Sequence, residues 1–157
     1  MSEPASEKPT GYLRPGQRGA AGGLTPAQVM ETLAATWTPG AMADPGIVER
    51  WATLFADDVV LVEPESLPHG GVHRGLDAFR AVQAGMRAHW DQRIEGAEYW
   101  RCAEDLYALR IVIRWTARAT GRSVVLPMID MIRIRGGQIV EIEAFVHDTA
   151  ALLDTLS

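Results

Sequence analysis

The sequence feature that most constrains the fold is the alternation of polar and apolar side chains in the second half of the chain. Over residues 106–119, Arg110, Arg114 and Arg118 fall at even-numbered positions, whereas the odd-numbered positions from 109 to 115 are all large and apolar. A period of two is typical of a strand with one buried face. Short glycine-containing turns separate this segment from two further strand-like segments, 123–135 and 138–147, and a weaker alternation covers 92–102. The sequence therefore predicts a meander of four antiparallel strands.

The first half of the domain predicts helices around one strand. Thr25-Pro26 and Asp44-Pro45 each place a capping side chain before a proline, a common way to begin a helix. A strand at 59–63 is followed by a loop at 64–75 that is rich in proline and glycine. The predicted helices span residues 26–37, 44–55 and 76–90, with a short closing helix at 149–156. This order predicts an α+β fold in which a curved antiparallel sheet wraps around the helices.

Composition limits the classes of function. The chain has 157 residues, enough for one domain with a core, and its net charge of −5 argues against a nucleic-acid partner. Cys102 is the single cysteine, which excludes an internal disulfide and a cysteine-rich zinc site. The N-terminus lacks the apolar stretch of a signal peptide, and no run approaches the ~20 apolar residues of a membrane span. We expect a cytoplasmic protein with no membrane partner.

The domain organisation predicted is a tail followed by one domain. Residues 1–23 contain prolines and glycines with almost no apolar periodicity, so they predict a flexible tail, and residues 24–157 form the domain. His69 and His73 have the i, i+4 spacing of a metal pair, but the two glycines between them disfavour the helix that this spacing requires. Since no nucleotide-binding loop is present either, we expect neither a metal nor a cofactor.

Two carboxylates stand out because each lies on the apolar face of a predicted strand. Glu63 ends the apolar run 59–63, and Asp130 interrupts the run 124–134. A carboxylate among apolar neighbours costs free energy unless it is hydrogen-bonded, paired or protonated. Two such groups facing one interior indicate a pocket that moves protons. The alternatives are an exposed strand end for Glu63 and, for Asp130, a buried group satisfied by Tyr107 or by a backbone donor.

Three segments resemble a known family. Leu54–Pro64 (LFADDVVLVEP), Gly71–Gly75 (GVHRG) and Met128–Phe145 (MIDMIRIRGGQIVEIEAF) are similar to SnoaL-like domains of the nuclear-transport-factor-two-like superfamily. That superfamily also includes ketosteroid isomerases, polyketide cyclases, limonene epoxide hydrolases and polyether ring-forming enzymes. The resemblance covers roughly residues 26–156 and implies a cone-shaped sheet around three helices. It is specific for the fold and weaker for the reaction, since one fold hosts many chemistries.

The resemblance also implies roles for the two carboxylates. Glu63 falls where ketosteroid isomerases carry their general base, and Asp130 falls where they carry a protonated aspartate that stabilises the oxyanion. The oxyanion tyrosine of those isomerases falls near Thr36 or Trp37, and neither is a tyrosine. The water-activating residues of limonene epoxide hydrolases fall at the apolar positions Ile111, Ile113 and Ala144. Polyketide cyclases and their pyran-forming relatives are the more similar group.

The function implied is a cofactor-independent acid–base isomerase or cyclase for a hydrophobic small molecule, as in polyketide-type biosynthesis. Glu63 would take or relay a proton, and Asp130 would donate to the developing oxyanion. The expected substrate-binding residues are Trp37, Trp51, Tyr107, Trp115 and Met128. Two alternatives remain: an epoxide-opening polyether-type cyclase or hydrolase, and a non-catalytic ligand-binding or dimerisation module.

Further expectations concern an acid in the loop, the end of the last strand and the outer face of the sheet. Glu65, in the loop after Glu63, is a candidate auxiliary acid. His147-Asp148 is more simply a structural pair at the end of the last strand. We expect a homodimer through the outer face of the sheet, where Ile129, Met131 and Phe145 fall beside Arg133.

Overall fold

The computed structural model describes residues 23–157; the predicted tail, 1–23, lies almost entirely outside them. The helices are α1 (Pro26–Ala34), α2 (Ile47–Ala52), α3 (Leu76–His89) and α4 (Thr149–Asp154), and one 3-10 turn spans Ala41–Ala43. The strands are β1 (Phe55–Glu63), β2 (Gly71–Arg74), β3 (Trp90–Arg101), β4 (Leu106–Ala117), β5 (Ser123–Arg135) and β6 (Gln138–Val146). The α+β class is confirmed.

The six strands form one curved sheet in the order β2-β1-β6-β5-β4-β3. The predicted meander is confirmed, because β3, β4, β5 and β6 pair antiparallel in sequence order. The pairing of β1 with β6 is parallel rather than antiparallel, with Val62 opposite Glu143. This link adds β1 and its hairpin partner β2 to the far edge of the meander.

The alternation in β4 separates a buried face from an exposed one, as the sequence predicts. The buried face packs against the helices and carries Leu109, Ile111, Ile113, Trp115 and Ala117. On the other face, Arg110 and Arg114 form cross-strand ion pairs with Glu98 at 3.3 Å and Glu95 at 2.8 Å. The concave side of the sheet is therefore apolar, and a polar group found there needs a specific explanation.

Four elements differ from the sequence prediction. The first helix ends at Ala34 rather than 37, and the second covers only Ile47–Ala52. β1 begins at Phe55, earlier than expected, and residues 71–74 form the short edge strand β2 within the predicted loop. Four residues at a sheet edge are too few to show a period, and Val72 is 59 % exposed.

The helices close the concave side of the sheet. Thr25 caps α1 through a capping box, in which Gln28 N donates to Thr25 Oγ1 at 3.2 Å and Thr25 N donates to Gln28 Oε1 at 2.9 Å. Val29, Met30 and Leu33 of this helix are buried against the sheet. Within residues 23–157, no helix combines the length and apolarity that a bilayer crossing requires.

Candidate functional site

A cavity lies between the concave face of the sheet and the helices, and both predicted carboxylates line it. Its volume is about 50 Å³, room for a few water molecules. Its walls are formed by Trp37, Met42, Trp51, Glu63, His69, Gln83, Met86, Gln92, Ile113, Trp115, Met128, Asp130 and Val146. Three of these are methionines, whose unbranched side chains repack readily around a larger ligand.

Glu63 is the last residue of β1. The strand turns its carboxyl inward, so that only 10 % of the side chain is exposed. Burial, together with the nearby charge of Asp130, raises the pKa of Glu63 from 4.5 to about 8. A glutamate with this pKa exchanges a proton near neutral pH, as a general acid or base must.

Asp130 lies in the middle of β5, where it pairs with Leu109 of β4 on one side and with Ala144 of β6 on the other. The residue is 8 % exposed, and its Oδ1 atom has no hydrogen-bond partner among residues 23–157. Burial raises the pKa of Asp130 from 3.8 to about 7. Neither Tyr107 nor a backbone group donates to Oδ1, so the interpretation of Asp130 as a satisfied core residue is not supported.

The two carboxylates flank one small residue. Asp130 pairs with Ala144 on β6, and the pairing of Val62 with Glu143 brings Glu63 alongside the same alanine. The strands that carry the acids are thus two strand spacings apart, or roughly 10 Å. Because the groups repel each other when both are charged, the first proton leaves the pair more easily than the second. Near neutral pH the pair can therefore hold one carboxylate and one carboxylic acid.

His69, in the loop between β1 and β2, is a third polar group at the cavity. Its side chain is 2 % exposed, and Nε2 lies 3.9 Å from Glu63 Oε2. Burial, together with the charges of His73 and His89, lowers the pKa of His69 to about 4. The imidazole is therefore uncharged at neutral pH.

The loop between β1 and β2 is folded tightly enough to return His69 to Glu63. Leu67 N donates to the Pro64 carbonyl at 3.0 Å, and Gly70 N donates to the Leu67 carbonyl at 2.9 Å. A Cβ atom at Gly70 would lie 2.3 Å from the Pro64 carbonyl oxygen, so only glycine fits there. The position of His69 is thus fixed by the backbone.

Two indoles form the opposite wall. The rings of Trp37 and Trp51 stack with centroids 4.8 Å apart and an interplanar angle of 16°. Trp51 Nε1 donates to Thr36 Oγ1 at 2.7 Å, whereas Trp37 Nε1 has no partner among residues 23–157. An unused N–H donor therefore lies in the wall of the cavity.

Unpartnered polar atoms are concentrated at this cavity. Buried polar atoms in proteins are nearly always hydrogen-bonded, and each exception costs about 1–3 kcal/mol. Within residues 23–157, five cavity-lining residues have such an atom: Trp37 Nε1, His69 Nδ1, Gln83 Oε1, Gln92 Oε1 and Asp130 Oδ1. This arrangement suits a ligand that brings hydrogen-bonding groups of its own.

Four of the five expected substrate-binding residues line the cavity, namely Trp37, Trp51, Trp115 and Met128. Tyr107 does not. It is buried farther along β4, and its ring centroid lies 6.3 Å from that of Tyr99. The candidate auxiliary acid Glu65 is exposed and also lies outside the cavity wall.

The sequence interpretation missed His69, Gln83 and Gln92 as cavity residues. Gln83 offered a usable signal, because it is a polar residue one helical turn from Phe79 on the buried face of α3. Gln92 offered a similar signal, since it precedes the buried Ile94 by two positions in β3. His69 offered none, because its position depends on the turn geometry of the loop.

The two loop histidines face different partners rather than one ion. His73 Nε2 lies 2.9 Å from the His69 carbonyl oxygen, whereas His69 Nε2 is directed toward Glu63. Among the residues described, no three His, Cys, Asp or Glu side chains converge as a metal-ligand set. The donor set present is better suited to hydrogen bonding and proton transfer.

The structure is an α+β domain with a curved sheet and a cavity lined by two buried acids, and comparisons with known proteins identify its family. The family profile of the SnoaL-like domain matches residues 30–142, so the chain belongs to the SnoaL-like domain family. No curated protein matches the chain in sequence.

Solved structures confirm the fold. An NTF2-like protein from Burkholderia xenovorans LB400 superposes with a TM-score of 0.70 at 19 % identity, covering 87 % of this chain and 100 % of its own. TerC, co-crystallised with polyporic acid, gives 0.69 at 17 %, covering 83 % and 97 %. A proposed polyketide cyclase from Pseudomonas putida KT2440 gives 0.65 at 17 %, covering 86 % and 100 %. At these identities the likeness shows the fold alone.

Proposed function

We propose that the protein is a cofactor-independent acid–base isomerase or cyclase that acts on a hydrophobic small molecule, as in polyketide-type biosynthesis. The observation that carries the proposal is the pair Glu63 and Asp130, two carboxylic acids of raised pKa that line one largely apolar cavity. Perturbed acids in a cleft are a recognised mark of a functional site. The co-crystallisation of TerC with polyporic acid supports an organic ligand for a cavity in this fold.

We assign the base to Glu63. When Glu63 is charged, the uncharged imidazole of His69 offers it an N–H donor from Nε2, 3.9 Å away. A charged Asp130 has no comparable donor at Oδ1 among the residues described. Burial alone ionises Asp130 first, since its pKa of about 7 lies below the pKa of about 8 of Glu63. A hydrogen bond from His69 Nε2 lowers the pKa of Glu63 and so favours the state with Glu63 ionised and Asp130 protonated.

The geometry supports a two-group reaction. Glu63 accepts the proton that the substrate loses from a carbon next to a carbonyl or from a hydroxyl. Asp130 donates a hydrogen bond or a proton to the oxygen on which negative charge develops. Trp37 Nε1 is a second donor available to that oxygen. The reaction ends when the proton on Glu63 returns to another position of the same molecule, which gives isomerisation or ring closure without a cofactor.

A proton-exchange assay tests this proposal. Exchange of the α-protons of α-tetralone, a flat hydrophobic ketone, is followed by NMR in D₂O. We expect Glu63→Gln and Asp130→Asn each to slow exchange by about 10²-fold or more, the usual contribution of such groups. The matched control is Glu65→Gln, an exposed carboxylate two residues from Glu63, which should leave the rate unchanged. Wild-type exchange no faster than that of a variant combining Glu63→Gln with Asp130→Asn would contradict the proposal and favour a binding module.

We also propose a homodimer through the outer face of the sheet and a location in the reducing cytoplasm. Ile129 and Phe145 are cross-strand neighbours on that face, and they are 38 % and 51 % exposed. Exposed large apolar side chains beside a row of ion pairs form a mixture typical of subunit interfaces. The single cysteine, Cys102, is free and exposed, which suits a reducing compartment.

A further inference from the structure

His69 enters the proposed function only as a donor to Glu63, and its second ring nitrogen has no role there. It is buried, it lies beside the proposed base, and one of its two ring nitrogens, Nδ1, has no partner among residues 23–157. Gly70 fixes the backbone immediately after His69, because a side chain there would overlap the Pro64 carbonyl. Gly85 of α3 lies next to the histidine, since a Cβ atom at Gly85 would be 3.7 Å from His69 Cβ. A histidine restrained in this way is a built part of the site.

We propose that His69 relays a proton between the cavity and Glu63 without becoming charged. The relay rests on the proposed function, in which Glu63 is the proton acceptor. Nε2 is directed toward Glu63 Oε2 at 3.9 Å, and Nδ1 is the nitrogen left for a ligand in the cavity. The last torsion of a glutamate side chain has a broad range, so a small rotation of the Glu63 carboxyl brings the two atoms to hydrogen-bond distance.

Two bonds break and two bonds form in the relay. A ligand X–H bond breaks and an Nδ1–H bond forms, while the Nε2–H bond breaks and an Oε2–H bond forms on Glu63. The electron pair of X–H stays on the ligand, where Asp130 stabilises it. The imidazole is neutral before and after, but its hydrogen has moved from Nε2 to Nδ1. The reverse movement returns the proton.

The surroundings of His69 explain why a neutral relay is favoured over an imidazolium. The titratable groups around it are Glu63 on β1, His73 on β2, His89 on α3 and, across the cavity, Asp130 on β5. Burial and the two other histidines disfavour a positive charge on the ring. A change of tautomer moves a proton through the same place with no net charge on the imidazole.

Nitrogen NMR of the protein labelled with ¹⁵N-histidine tests the relay without a substrate. The shifts of the two ring nitrogens distinguish the two neutral tautomers from the imidazolium. As Glu63 titrates near pH 8, we expect His69 to change from the Nδ1–H tautomer at lower pH to the Nε2–H tautomer at higher pH. His73 is the internal reference, because its Nε2 lies 2.9 Å from the His69 carbonyl oxygen and so keeps its hydrogen.

Glu63→Gln is the control variant. Its side chain does not titrate, so the tautomer of His69 should become independent of pH. An imidazolium at His69 between about pH 6 and pH 9, a single tautomer throughout that range, or an unchanged transition in Glu63→Gln would each overturn the relay. These outcomes are separate from the proton-exchange assay, which tests the roles of Glu63 and Asp130 in turnover and does not report the tautomer of His69.

Discussion

Replacing Asp130 with leucine is expected to stabilise the folded protein, and the gain should grow as the pH rises. The carboxyl is buried, its Oδ1 has no partner among residues 23–157, and burial raises its pKa from 3.8 to about 7. One pKa unit corresponds to about 1.4 kcal/mol, so ionising this group inside the fold costs about 4 kcal/mol. Leucine has a similar size and carries no such penalty.

The sign of the pH dependence follows from proton binding. The folded protein keeps the Asp130 proton up to about pH 7, whereas the unfolded chain releases it near its ordinary pKa of 3.8. Between these values the folded state binds more protons, so its stability falls as the pH rises. The penalty is small below the lower value and complete above the higher one. The pKa of Glu63 is raised too, so its ionisation lowers stability in the same direction at higher pH.

Urea unfolding, followed by tryptophan fluorescence at about pH 4.5 and pH 8.5, measures the effect. The stability difference between Asp130→Leu and the wild type should increase by about 3 kcal/mol between the two conditions. Glu143→Leu removes an exposed carboxylate from the adjacent strand and should not change the pH dependence. If Asp130→Leu instead loses the same stability at both pH values, Asp130 is a satisfied structural residue and the reasoning is refuted.

Three further predictions concern the loop, the sheet face and the tail. Gly70→Ala should lower the free energy of unfolding by about 2 kcal/mol or more in urea unfolding, because its Cβ would overlap the Pro64 carbonyl; Gly40→Ala, with no atom within 4 Å, should be neutral. Phe145→Glu should convert a homodimer to a monomer in light scattering, and a monomeric wild type at micromolar concentration would contradict the interface. A chain that begins at Leu24 should melt within a few degrees of the full-length protein, whereas a large fall in Tm would show that the tail docks.

The sequence predicts the meander and the two acids because both depend on local patterns. A strand of 12 residues such as β4 shows its buried face through alternation alone. A carboxylate that interrupts such a face, as Asp130 does, is visible in the same pattern. The side of the sheet on which each acid lies therefore follows from period and neighbours, without knowledge of the tertiary structure.

The rest of the site depends on distances that no local pattern encodes. The parallel pairing of β1 with β6 joins segments about 80 positions apart, and only this pairing brings Glu63 next to Ala144. His69 reaches Glu63 through a turn whose geometry is set by Gly70. Tyr107 has the correct face on β4 for the cavity, but it lies too far along the strand. Face is predictable from sequence, whereas position along the strand is not.

The parallel link between β1 and β6 has a consequence for how the protein folds. The meander from β3 to β6 consists of hairpins between neighbours in sequence, which close short loops and form quickly. The link to β1 closes a much longer loop, in which Ile139 N donates to the Leu54 carbonyl at 2.8 Å. Asp130 is on β5, in the meander that forms early, whereas Glu63 is on β1, which joins the sheet later. We therefore expect the two acids to meet only in the last stage of folding, so that pulse-labelling hydrogen exchange should protect β4 and β5 before β1.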